Sequence, residues 1–354
     1  MDRSLSTFAK QRAIWLYGGA GILLLAVLSA GIGPVAITPL QIFAILGDVV
    51  GLAFGVEFGH DHFMVLTAIR LPRVALAALV GASLAVAGAL LQGLFRNPLA
   101  SPMLIGTMSG AMLGAVLFIV IGAALLAFLP MPLRMIGLPL AAFIGGTSTT
   151  LLVYRLASAN GRTSVGTMLL AGIAVNSLAL AFTGFLITLA DDAQLRNITF
   201  WNLGGLSGNG WQEVVIVGMA LVPLAVLLPG LHTRLNALLL GEREARHLGV
   251  HVQRLTALCV GLSALAVGAA VSVSGNIQFV GLVVPNLMRL WLGPDHRLLV
   301  PGSACCGAGL MIAADLIART ATAPAELPVG IVTAAVGAPF FLWLLVRHRQ
   351  AVFA

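Results

Sequence analysis

Charge is what this chain has least of. Only 9% of its 354 residues are charged, 12 acidic and 19 basic, and aromatic residues make up 6%. A soluble domain usually carries a charged share of about 25% to keep its surface wet, so a globular core in water is excluded. Cysteine is scarce too. Cys259, Cys305 and Cys306 sit inside apolar runs, where small packed side chains explain them better than a redox or metal role. No G-x-x-x-x-G-K-[ST] loop occurs, so the chain does not cradle ATP by that route. H-E-x-x-H and G-x-S-x-G are also missing, which removes two hydrolase readings. His60, Asp61 and His62 offer a two-residue His spacing without further ligands; a solvated loop is expected there, and no metal.

Apolar residues fill the space that charge leaves. They make up 59% of the chain, with 41 Gly and 16 Pro, and the mean hydropathy is +1.04. This is the composition of a polytopic all-α membrane protein, because hydrocarbon leaves unpaired backbone amides no alternative to the helix. About ten spans read from the apolar runs: 13–32, 73–94, 103–128, 132–156, 165–190, 212–231, 254–273, 277–292, 299–318 and 327–346. With alternating spans and an inside N-terminus, 14 of the 19 basic residues fall on the cytoplasmic side, which predicts both termini inside. The first run is too long and too poorly followed by a cleavage site to be a signal peptide. The basic residues are scattered over loops and not gathered on one face, so the pI near 10.6 reflects bilayer topology and not nucleic-acid binding. Residues 38–62 are apolar but broken by Gly47 and Asp48, and an interfacial or re-entrant segment is expected there. Gly106, Gly110 and Gly114, with Gly81, Ala85 and Gly88, form small-residue stripes suited to close helix packing.

Four places stand out against this background. The segment 232–254 holds six of the chain's charged residues, and within it Glu242, Arg243, Glu244 and Arg246 run acid-first, as a helix dipole prefers. Arg70 and Arg73 flank Pro72 at what reads as a helix start, where cations oppose the dipole and need an acidic partner. Asn97 precedes Pro98 and should mark a sharp turn. Asp315 is the clearest acid inside a span, with Arg319 placed at i+4 for a local ion pair. An ion-driven secondary carrier needs more carboxylates within its spans than this, and a membrane enzyme needs a convergent catalytic set that is not visible.

Four stretches resemble one family closely: 69–106, 238–250, 279–297 and 314–345. They resemble, in order, the permease subunits of type II ATP-binding-cassette importers for vitamin B12, iron-siderophore complexes and haem. The resemblance implies a single permease domain over 1–354 in a bacterial inner membrane and a homodimer of ten-helix subunits. It also implies two cytoplasmic ATPase subunits that bind ATP and Mg, and a periplasmic substrate-binding protein. The chain itself would hold no cofactor and catalyse nothing. By the same resemblance, Leu240, Gly241, Glu242, Arg243, Glu244, Ala245, Arg246, His247, Leu248 and Gly249 couple to the ATPase. Asn97 and Leu99 form an inner gate facing Val165 and Gly166, and Arg70, Arg73 and Arg319 dock the binding protein. The chain departs at Val165-Gly166, the second gate position, where members of the family it resembles can carry hydroxyl residues. It departs again at Asn286, where the family usually reads V-P-H. The cargo expected is a large iron complex, haem ahead of a siderophore, with B12 as the alternative. Met103, Met108, Met112 and Met168 are candidates to line its path.

Overall fold

The computed structural model describes residues 2–52, 54–122, 130–159 and 162–352. The chain folds as α1 (Asp2–Gly31), α2 (Pro39–Val49), α3 (His60–Phe95), α4 (Thr107–Gly122), α5 (Met131–Leu156), α6 (Val165–Ile187) and α7 (Asp192–Leu203). It continues as α8 (Trp211–Leu238), α9 (Glu242–His247), α10 (Val252–Ser274), α11 (Val280–Leu292), α12 (His296–Thr320) and α13 (Val329–Val352). Seven helices are long and apolar enough to cross a bilayer: α1, α3, α5, α6, α8, α10 and α12. The shorter apolar helices α4, α11 and α13 fall on the other three expected runs. The end of the run 103–128 lies outside the described residues. Ser158–Ala159 and Arg162–Thr163 pair as a two-residue antiparallel ladder between α5 and α6.

α3 is the axis of the bundle. It packs against α12, α10, α11 and α8, while α12 packs on α1 with its other side. Small residues set these distances. Gly81 meets the backbone of Gly307, and Gly88 meets the carbonyl of Gly281. Pro285 has no N–H to give that carbonyl four residues back, and the carbonyl turns against α3. A Cβ on Gly88 would overlap backbone atoms that have nowhere to go. Gly88→Ala should therefore destabilise the purified protein by about 1–3 kcal/mol, read as a lower thermal midpoint, whereas Gly184→Ala, which meets nothing, should not.

α1, α6 and α8 sit at the periphery and bury little of their apolar surface. On α6 the buried residues Met168, Gly172, Val175, Ala179, Thr183 and Leu186 form one stripe, and large apolar side chains such as Leu170, Leu180 and Phe185 cover the rest. That distribution needs lipid or protein around it.

Two expectations change in the segment before α3. α2 has the expected interfacial length: its 11 residues span about 16 Å, against roughly 30 Å of hydrocarbon. Thr38 and Gln41 close a capping box at its start, with Pro39 in the first turn. The next helix, however, begins at His60 and not near residue 73. A π-helical stretch, Val65–Arg70, lies just before Pro72 and absorbs the hydrogen bond that proline cannot make, so one helix runs through it. His60, Asp61 and His62 form its first turn instead of a loop. Among the described residues no three His, Cys, Asp or Glu side chains gather to hold a metal.

Candidate functional site

At one end of the bundle the charged island forms a compact protrusion between α8 and α10. Gly241 adopts φ +121° and turns the chain out of α8. After six helical residues Gly249, at φ +81°, ends α9, with Val250 N–H donating to Ala245 O (2.9 Å) and Gly249 N–H to Arg246 O (3.0 Å). This is the paired C-terminal closure for which glycine is favoured. Ala245 is fully buried and anchors the turn, while Arg243, Glu244, Arg246 and His247 are exposed. Arg246 and Glu242 make an i,i+4 pair at 3.5 Å, weak in solvent. Leu240 and Leu248 are exposed on either side of α9. Two exposed leucines thus flank a charged turn closed by glycine at both ends.

The Asn97 turn lies at this same end. α3 ends with Arg96 in the left-handed region, and Asn97 N–H reaches back to Gln92 O at 3.2 Å. Asn97 Oδ1 accepts from Leu99 N–H at 2.9 Å, and Ala100 N–H donates to Asn97 O at 3.1 Å. The proline signal thus located a real turn, although the left-handed residue is Arg96, one position earlier. Leu99 is exposed. Val165 packs on the cluster that contains Leu94, Phe95 and Ala100; Gly166 is open to solvent. Asn236 ties the end of α8 to the start of α12 by donating to Asp295 Oδ1 (2.6 Å) and accepting from His296 N–H (2.9 Å).

The opposite end holds the three other arginines, and all three turn inward. Arg73 is 9% exposed and grips Asp315 with Nε (2.9 and 3.0 Å) and Nη2 (2.8 Å), while its Nη1 takes both oxygens of Glu326 (3.0 and 3.1 Å). Arg70 is 5% exposed and donates to the carbonyls of Ala30, Gly31 and Val35, which close the end of α1. Arg319 donates to Ile32 O (2.9 Å), Ser29 Oγ (2.8 Å) and Ser29 O, and lies 3.7 Å from Asp315. The expected i,i+4 pair therefore exists but is the longer contact, and Asp315 belongs mainly to Arg73. All three guanidiniums bond within the subunit, but among the described residues only Arg73 and Arg319 face carboxylates, while Arg70 faces carbonyls and keeps an uncompensated charge. The dipole problem read at Arg70 and Arg73 also vanishes, because neither stands at a helix start.

Glu326 and Ser207, missed in the sequence, complete this end. Ser207 donates to Glu326. A cavity of about 410 Å³ opens beside them, lined by Arg73, Trp201, Gly205, Ser207, Glu326 and Pro328 among others. Partial burial pushes the Glu326 carboxyl up, but hydrogen bonds from Arg73 and Ser207 and the Arg73 charge outweigh it and hold it below the usual range. A lowered carboxylate pKa stabilises the fold above its unfolded value, about 4.5, and that stability is lost as pH falls through the folded value. The difference in thermal midpoint between the wild type and Glu326→Gln should stay constant from pH 8 to 5 and shrink as pH falls below about 4.5. A constant difference at pH 3.5 would refute the assignment.

Of the four candidate methionines, Met168 is fully buried and Met112 packs in an apolar cluster. Met103 and Met108 line a cavity of about 160 Å³ with Gln278 and Phe279, where α10 and α11 are separated by non-helical chain.

Residues 21–347 match the model of the FecCD transport family. The chain is 45% identical to the hemin transport system permease protein HmuU of Yersinia pestis, over 80% of this chain and 83% of that one. It is 39% identical to the cobalamin import system permease protein BtuC of Halobacterium salinarum, over 97% and 98%. Its fold is similar to an inward-facing structure of a metal-chelate type ABC transporter, with a TM-score of 0.81, 32% identity, and coverage of 95% of this chain and 99% of that one.

Proposed function

Because the chain belongs to the FecCD transport family of ABC importer permeases, we propose that it is the membrane wall of an importer for haem, driven by separate ATPase subunits. The observation that carries this is α9: a rigid, exposed charged turn between two bare leucines, in a chain with no nucleotide-binding loop of its own. Such a subunit needs a handle and not an engine. Two copies would pair through the apolar outer surfaces left by single protomers, and a cytoplasmic ATPase dimer would grip the two copies of α9. ATP and Mg belong to those partners, and a periplasmic binding protein would deliver cargo to the end that carries Arg73 and Glu326.

In this reading ATP binding moves α9, and with it α8 and α10. Access alternates between that outer end and an inner gate at Asn97 and Leu99, with Val165 and Gly166 opposite. The island then faces the cytoplasm, both termini are inside, and the protein lies in a bacterial inner membrane. Haem is favoured by the 45% identity to the hemin permease; the longer match to the cobalamin permease supports vitamin B12 as the second reading. A ferric siderophore is the third cargo to compare.

The test is reconstitution of the dimer with its ATPase and binding protein in liposomes, comparing haem, a ferric siderophore and cobalamin. Uptake and stimulated hydrolysis with haem above the other two is the expected result. Stimulation by none of the three, with both partners functional, would remove the substrate class. Uptake by the permease without ATPase would remove the mechanism.

A further inference from the structure

Asn286 is one of the two places where the chain departs from its family, and the structure shows it in an unusual position. It follows Pro285 in α11 and is 4% exposed. Its Nδ2 donates to Pro98 O and to Leu282 O, both at 2.8 Å, and its Oδ1 accepts from Arg289 Nη1 at 3.0 Å. Two acceptors on one side and a guanidinium on the other fix the amide in a single orientation. Pro98 is the middle residue of the Asn97–Leu99 turn. The turn's other polar groups are used within it, Asn97 Oδ1 on Leu99 and Asn97 O on Ala100. Among the described hydrogen bonds, the donor to the Pro98 carbonyl is Asn286. Gln92, at the end of α3, donates to the same Leu282 carbonyl at 3.3 Å, so α3, the turn and α11 meet at one small polar knot. Beside it lies a cavity of about 360 Å³ lined by Gln92, Arg96, Asn97, Asn286 and Arg289.

We propose that Asn286 is the positioning residue of the inner gate, joining α11 to the Asn97–Pro98–Leu99 turn so that the turn moves with α11. This rests on the reading of that turn as the gate. A neutral imidazole has one donor and one acceptor, so it could serve Pro98 and Arg289 only in one tautomer, and a protonated one could not accept from Arg289 at all. Asparagine makes the same link without a titrating group, and the joint is then independent of pH.

The experiment uses the reconstituted complex with Cys259, Cys305 and Cys306 replaced by serine and one reporter thiol, Ala100→Cys. Ala100 is fully buried directly after the turn. If that variant does not assemble, Ser101→Cys takes its place. In the Asn286→Ala background the rate of thiol modification should rise about tenfold, and cargo moved per ATP should fall by a similar factor. Asn286→Leu, which fills the space but offers no donor to Pro98 O, should behave like Asn286→Ala, and both should differ from the parent by the same factor at pH 8 and at pH 6. The charged or titratable groups facing this position are Arg289 on α11, Arg96 at the end of α3 and His296 at the start of α12, which packs on Gly93. All are present in the parent, which serves as the pH control. An unchanged modification rate in Asn286→Ala or in Asn286→Leu overturns the proposal. A reporter that responds as expected in a complex that moves no cargo supports the positioning role and counts against the transport reading, so the two fail separately.

Discussion

Asp315→Ala should lower the thermal midpoint of the purified subunit more than any other single change considered, equivalent to about 3–5 kcal/mol. Asp315 is 1% exposed and is the one carboxylate between Arg73 on α3 and Arg319 on its own helix. Its removal leaves Arg73 buried with only the partly exposed Glu326, and leaves Arg319 with carbonyl and hydroxyl partners but no counter-charge. The damage comes from stranded charge more than from a lost attraction. The triple variant Arg73→Met, Asp315→Leu, Arg319→Met should therefore be less destabilised than Asp315→Ala alone, because apolar replacement of a whole buried ionic cluster is often close to neutral. Thermal unfolding followed by size-exclusion chromatography in detergent measures both. A triple variant that unfolds at or below the midpoint of Asp315→Ala would show that the arginines hold the end of α1 through Ala30, Ser29 and Ile32 to a degree that outweighs the charge.

What was legible in the sequence depended on how local the signal was. The ten runs became ten helices because a 20-residue apolar stretch in a bilayer has one economical backbone solution. α9 was legible from Gly241, Gly249 and the acid-first order between them, all within ten residues. The start of α3 was not. Arg70-Leu71-Pro72-Arg73 has the composition of a helix beginning, and the π-helical stretch that carries the helix through Pro72 leaves no mark in hydropathy. The closer partner of Asp315 was not legible for a related reason. Arg319 lies four residues away and satisfies the helical rule, while Arg73 lies 242 residues away and is brought in by the packing of α3 on α12. Glu326 and Ser207 carried no motif, being a loop acid and a loop hydroxyl whose meaning arises when Arg73 reaches them. Asn97 lay between these cases: proline fixed the turn, but its connection to Asn286 crosses 188 residues and only the fold reveals it.

Replacing Glu242 through Arg246 with Gly and Ser should reduce ATP-dependent uptake by about 100-fold while the subunit still folds and dimerises. The segment makes few contacts with the bundle beyond Ala245, so its loss does not open the core. What it loses is stiffness. Glycine-rich chain between α8 and α10 cannot transmit a push, since its many conformations absorb the displacement. A second variant separates rigidity from recognition: Leu240→Ser with Leu248→Ser keeps the helix and its Gly241 and Gly249 turns but removes the two exposed apolar side chains. That variant should weaken co-purification with the ATPase, whereas the Gly/Ser variant that retains both leucines should bind appreciably better than it transports. Hydrolysis and uptake measured together in proteoliposomes give the ratio directly. Normal uptake in the Gly/Ser variant would mean that force enters the bundle elsewhere, and the reading of α9 as the handle would have to be given up.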